Sequence, residues 1–134
     1  MDCIFCKIRK GEIPADKIYE DEHTFAFLDI QPINKGHALV IHKNHHKDIF
    51  DTPTEELCAM MATAKKVAAA VVKETNADGL NIGMNNKAVA GQAVWHSHLH
   101  IIPRFEGDGL RHWPGKEYEE GEAAKVAEDI KKHL

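Results

Sequence analysis

A chain of 134 residues with 43% hydrophobic residues is long enough to bury a core and short enough to form one continuous domain, residues 1–134. Its net charge of −4 provides no general field for a polyanion, which argues against bulk nucleic-acid binding and leaves any phosphate to local donors. No apolar run approaches the roughly 20 residues of a membrane span, and the charged start MDCIFCKIRKGE lacks the apolar core of a signal peptide, so a cytoplasmic protein without membrane contact is expected.

Taken in chain order, the first feature is Cys3-x-x-Cys6. Three cysteines, at 3, 6 and 58, cannot make a fully paired disulfide framework, so the close pair points to a metal or redox role. KIYEDEHTFAFLDI reads as a hairpin: Ile18 and Tyr19, a charged turn from Glu20 to His23, then Phe25 and Phe27 alternating toward Asp29. QPINKG is a loop by its Pro, Asn and Gly, HALVIH a short strand, and KNHHKD a polar connection. A helix should start with Thr52 as N-cap, Pro53 at the first helical position and Glu55 closing a capping box. Leu57, Met60, Met61, Ala64, Val67, Ala68, Val71 and Val72 recur at helical spacing to about Thr75, so one stripe faces a sheet; Cys58 beside it reads as a small buried residue. GLNIGMNN and AVWHSHLHIIP are two further strands separated by KAVAG, and EEGEAAKVAEDIKKHL, from about Glu119, is a closing helix. The expected fold class is α+β: a largely antiparallel sheet of about five strands with one long helix and a C-terminal helix.

The last strand, in WHSHLHIIPR, carries His96, His98 and His100 in strict alternation. Side chains at i, i+2 and i+4 of a strand share a face, roughly 6–7 Å apart. The imidazoles therefore form a row, with Trp95, Ser97, Leu99 and Ile101 turned toward a helix-packed core. Alternating histidines can ligate a zinc that activates water. A neutral imidazole can instead attack phosphorus, being a good nucleophile and leaving group near neutral pH. AGQAV, directly before the row, offers the tight turn and backbone donors of a phosphate site and favours the second chemistry. For Cys3 and Cys6, two more metal ligands are available among His42, His45, His46 and His96, and spacing alone does not separate His45 from His46. A redox pair is the alternative, though the usual strand-to-helix setting is absent.

HSHLHII matches the signature His-φ-His-φ-His-φ-φ, φ apolar, except at polar Ser97. CIFCKI, GEIP, YEDE, AFLDI, KGHALVI, NN, AGQ, HIIPR and HWPG also fall in the order seen in the histidine triad (HIT) family. Over residues 3 to about 115 the chain resembles that family, in its nucleoside phosphoramidase-like branch with a zinc-binding Cys-x-x-Cys. The resemblance implies an enzyme, a nucleotide hydrolase or transferase. It would cleave the bond between a nucleoside 5′-α-phosphate and its substituent, as in adenosine phosphoramidate, through a nucleotidyl-histidine. His98 takes the position of the nucleophile, His100 that of a residue orienting His98 or its phosphate, and His37 that of a further histidine approaching the cluster. Asp29 would accept both ribose hydroxyls, its two oxygens suiting a vicinal diol; a turn-capping aspartate is the structural alternative. Ile4, Phe5, Ile8, Phe27 and Ile30 fall on positions that sandwich a purine base, although Phe27 serves equally well as core. Asn85 and the backbone of Gly91 and Gln92 fall on phosphate-side donors.

Where the family has Ser or Thr after GQ this chain has Ala93, so a hydroxyl aimed at the phosphate or leaving group is missing. The resemblance also implies a structural zinc on Cys3, Cys6, His45 and His96, pinning the N-terminal segment to the catalytic strand. His96 could not then protonate a leaving group, because its second nitrogen is occupied in orienting the ligand. A homodimer across the long helix and a sheet edge is implied as well, with Trp113 near the partner's active site. Cleavage of dinucleoside polyphosphates is the alternative activity, and a nucleotide-binding interaction module with incidental hydrolysis the alternative class.

Overall fold

The structure, a computed structural model, describes residues 2–134. The elements are α1 (Ile4–Arg9), β1 (Lys17–Glu20), β2 (Thr24–Leu28), β3 (Ala38–His42), α2 (Thr54–Thr75), β4 (Gly79–Gly83), a 3-10 turn (Ala88–Ala90), β5 (His98–Arg104) and α3 (Glu122–Lys131). The strands form one antiparallel five-stranded sheet in the order β1-β2-β3-β5-β4. The fold class and the two long-range helices are those the sequence predicts.

Strand alternation sorts the central side chains onto two faces. Ala26, Ala38, Val40, Leu99 and Ile101 join Met60, Ala64, Val67, Ala68 and Val71 of α2 in one buried cluster. Phe25, Phe27, Leu39 and Ile41 pack on the other face with Cys3 and Phe5, around α1. The N-terminal helix, which the sequence reading leaves out, therefore roofs the histidine face. That face is closed: His96 and His98 are 0% and 5% exposed.

Other boundaries differ for local reasons. β5 begins at His98, so His96 precedes the ladder, and Trp95 is 47% exposed rather than core. Ser97 is buried, and its hydroxyl is satisfied by Thr52 Oγ1 at 2.9 Å. Thr52 is accordingly not an N-cap; its hydroxyl donates to the Asp48 carbonyl, and α2 starts one residue later than expected without a side-chain cap. Met61 and Cys58 lie on the exposed flank of α2, correcting the buried reading of both. α2 ends at Asn76 in the left-handed conformation. α3 buries no residue. No helix among the described residues is long and apolar enough to cross a membrane.

Candidate active site

Where α1 meets the chain entering β5, Cys3, Cys6, His45 and His96 bring four potential ligand atoms within 4.8 Å of one another. Cys3 Sγ is 3.5 Å from His96 Nδ1, and Cys6 Sγ is 3.6 Å from that atom and 3.5 Å from His45 Nδ1. A sulfur and a nitrogen on one tetrahedral zinc stand about 3.6 Å apart, given Zn–S near 2.3 Å and Zn–N near 2.05 Å. His96 Nε2–H donates to the His42 carbonyl at 2.9 Å, which leaves the Nδ1 lone pair facing the sulfurs. Burial pushes His96 down to about 4, so that lone pair is unprotonated at neutral pH. Burial, with Cys3 alongside, pushes the Cys6 thiol up, a preference that a divalent cation would reverse. His46, which spacing left as a rival to His45, points elsewhere, with Nε2 2.7 Å from Glu56 Oε2. The donor set thus fits zinc, and both nitrogens of His96 are committed.

The remaining histidines are held in defined tautomers. His98 Nδ1–H donates to the His96 carbonyl at 2.7 Å, a group that can only accept, so the Nε2 lone pair of neutral His98 is available. Burial lowers the His98 pKa and favours that neutral form. The Phe5 ring stands edge-on to His98, centroids 5.0 Å apart. Ile33 N–H donates to His37 Nδ1 at 3.1 Å, so the His37 proton sits on Nε2 and is donated to His100 Nδ1 at 2.9 Å. His100 in turn carries its proton on Nε2, ready to donate to an oxygen. The orientation of His98 thus comes from a backbone carbonyl, and His100 supplies a ring 4.9 Å away.

Asp29 completes this corner, with Oδ2 3.7 Å from His37 Nε2, while its Oδ1 caps the following turn by accepting Gln31 N–H at 2.8 Å. Asp29, His37 and His100 also have metal-like spacing. A cation there would need the Nε2 that carries the His37 proton, and moving that proton to Nδ1 would set it against Ile33 N–H; the cluster is built as a hydrogen-bond relay.

Beyond the row, Gly91 has φ 95°, and a Cβ there would sit 3.4 Å from Asn85 Nδ2, so the glycine lets the turn close against Asn85. The amides of Gly91 and Gln92 donate back into the turn, to Ala88 and Lys87 carbonyls. Of the expected base-slot residues, Phe5 and Phe27 are 6% and 3% exposed and meet edge-to-face at 5.3 Å, Ile8 packs partly buried beside them, and Ile4 and Ile30 lie exposed at the rim. A cavity of about 460 Å³ is lined by Asn85 and His100 together with Ile33, Arg104, Arg111 and Trp113 of the same chain.

The HIT domain model matches residues 10–107. The chain belongs to the HIT family. An uncharacterized HIT-like protein of Methanocaldococcus jannaschii is 56% identical over 107 residues, covering 80% of this chain and 82% of that one. Adenosine 5′-monophosphoramidase HNT1 of Saccharomyces cerevisiae is 42% identical over 130 residues, covering 96% and 80%. Among solved structures, a zinc-bound histidine triad family protein from Mycobacterium smegmatis superposes with a TM-score of 0.79 at 41% identity, covering 98% of both chains. In this HIT chain the sequence reading missed Ile33 and the carbonyls of His42 and His96. Their part is played by backbone atoms, which leave no trace in side-chain pattern.

Proposed function

We propose that this HIT protein is a nucleotide hydrolase that cleaves the bond between a nucleoside 5′-α-phosphate and its substituent, with adenosine phosphoramidates as the substrate type. The observation that carries the reading is the tautomer of His98: proton on Nδ1, lone pair on Nε2, in a histidine kept neutral by burial. His98 Nε2 attacks the α-phosphorus, the phosphorus–nitrogen bond breaks, and the amine departs with a proton drawn from water, which the hydrolytic step returns to solvent. Water then attacks the nucleotidyl-histidine, releasing the nucleoside monophosphate and restoring His98. His100 Nε2–H, fixed through His37, donates to a phosphate oxygen as charge develops. Asp29 holds the ribose through its two oxygens, Asn85 and the turn beyond it meet the phosphate, and the rim residues Ile4 and Ile30 close on a purine base beside Phe5, Ile8 and Phe27. The name of the yeast relative supports the phosphoramidate choice.

Zinc, when bound by Cys3, Cys6, His45 and His96, supplies a structural crosslink between the N-terminal helix and the start of β5. The chain acts as a homodimer in the cytoplasm: Ile82 on the edge strand β4 and Cys58, Met61 and Ala62 on α2 line one exposed apolar depression suited to a second copy.

His98→Ala should lower turnover of an adenosine phosphoramidate by several orders of magnitude while AMP affinity and zinc content stay near wild type. Near-normal turnover by the variant, or a wild-type preference for dinucleoside polyphosphates, would sink the reading.

A further inference from the structure

Lys87 stands with φ 75° and ψ 155°, a backbone conformation rare for residues with a Cβ and natural to glycine. The turn closes on this residue. Its N–H donates to Gln92 Oε1 at 2.9 Å, and its carbonyl accepts from the amides of Ala90 and Gln92 at 3.1 and 3.2 Å. The side chain leaves the turn altogether: Nζ is 2.6 Å from Asp48 Oδ2 and 5.9 Å from the centre of the Phe50 ring. Asp48 is 4% exposed, and its other oxygen accepts from the amides of Phe50 and Asp51 at 3.0 and 3.2 Å, so the carboxylate is fixed before the lysine reaches it. The Lys87 ammonium holds that carboxyl below its ordinary range.

Two further bonds run between the same loops. Asn86 Oδ1 accepts Ile49 N–H at 2.7 Å, and Gln92 Nε2 donates to the Lys47 carbonyl. The phosphate-side turn is thus fastened at three points to residues 47–49, which follow His45 of the Cys3, Cys6, His45 and His96 cluster. Gly91, at the end of the turn, lies so near Asn85 that a Cβ there would stand 3.4 Å from Asn85 Nδ2, so the turn and Asn85 share one surface.

We propose that Lys87 is a positioning residue: gripped by Asp48, it holds the turn in its strained conformation and so keeps Asn85 and the end of the turn in place for the α-phosphate, without touching substrate. The inference rests on the reading of His98 as a nucleophile on that phosphate. A strained backbone persists only where its surroundings over-determine it, and here a charge pair and a closed ring of hydrogen bonds do so. Because Asn85 and the turn lie on the phosphate side of the proposed site, the effect should be confined to that end of the nucleotide.

The experiment compares Lys87→Met, Asp48→Asn, the double variant and Lys87→Arg by calorimetric binding of AMP and of adenosine, turnover of an adenosine phosphoramidate, and amide hydrogen exchange at Gly91 and Gln92. Lys87→Met and Asp48→Asn should each weaken AMP binding about tenfold and lower kcat/KM as much or more, with adenosine binding unchanged. The double variant should be no worse than either single one, because both break the same contact. Lys87→Arg should recover most of the loss, and exchange at Gly91 and Gln92 should quicken in Lys87→Met. Unchanged exchange with an unchanged ratio of AMP to adenosine affinity, or equal weakening of both ligands, overturns the proposal. If the wild-type protein fails to turn over the phosphoramidate, the assignment of His98 falls, and the exchange and binding ratio still decide on Lys87.

Discussion

His98 owes its free lone pair to the carbonyl two residues before it, and His100 owes its donor proton to a chain of bonds that begins at Ile33 N–H. None of these settings is legible in HSHLHII, because a tautomer is fixed by whatever backbone atom the fold brings to the other nitrogen. The alternation itself is legible, as are Cys3 and Cys6; spacing does not choose His45 over His46, which the fold does by setting His45 Nδ1 3.5 Å from Cys6 Sγ and His46 Nε2 2.7 Å from Glu56 Oε2. Burial lowers the pKa of His37 and takes that of His100 to about 4, so both are neutral in the folded protein at pH 7. In the unfolded chain they titrate near 6.5. For His100 the unfolded state binds more protons between about 4 and 6.5, so its contribution is complete above about 6.5 and is lost as pH falls toward 4, and His37 acts in the same direction. The urea midpoint should therefore drop between pH 7 and pH 4.5, and drop less in His100→Asn; parallel profiles for the two proteins would show that His100 has no part in it.

At the scale of elements, the long helix and the sheet are read easily because their apolar periods persist, over 22 residues in α2 and across five strands. α1 is harder: six residues without a capping side chain carry too little pattern, and the helix is stabilised by what it packs on, Phe25, Phe27, Leu39 and Ile41. The start of β5 is misread for a related reason, since His96 faces Cys3 and Cys6 instead of joining the ladder. α1 with the residue before it, the loop after β3 and the segment entering β5 are the three pieces a zinc ion would join. The purified protein is expected to hold about one zinc per chain, and Cys3→Ser to release it. The same substitution should lower the melting temperature by several degrees, as should a strong chelator added to wild type. Metal-free protein of full thermal stability, by elemental analysis and calorimetry, would contradict this.

For the molecule as a whole, the part least accounted for within one chain is its outer edge. β4 has only β5 as a neighbour, Ile82 and Met61 are 38% and 48% exposed, and α3 carries Ile130 at 57%. A second copy would cover these surfaces, and light scattering at micromolar concentration should give twice the 15.0 kDa of one chain, with Ile82→Asp shifting the mass toward that of the monomer. A wild-type mass of one chain would refute the dimer. With a net charge of −4 a nucleotide would have to be recognised by local groups, and the proposed site would draw them from α1, the loops after β2 and β4, and β5. The proposed hydrolysis requires that His98 Nε2 become bonded to phosphorus. The most direct measurement is rapid acid or cold quench of the protein with an adenosine phosphoramidate, followed by intact-mass and peptide analysis under conditions that preserve phosphorus–nitrogen bonds. A single adenylyl group on His98, formed and lost at rates competent for turnover, is the predicted result. Turnover without any adduct, or an adduct on His100 or His37 with His98 unmodified, would contradict it.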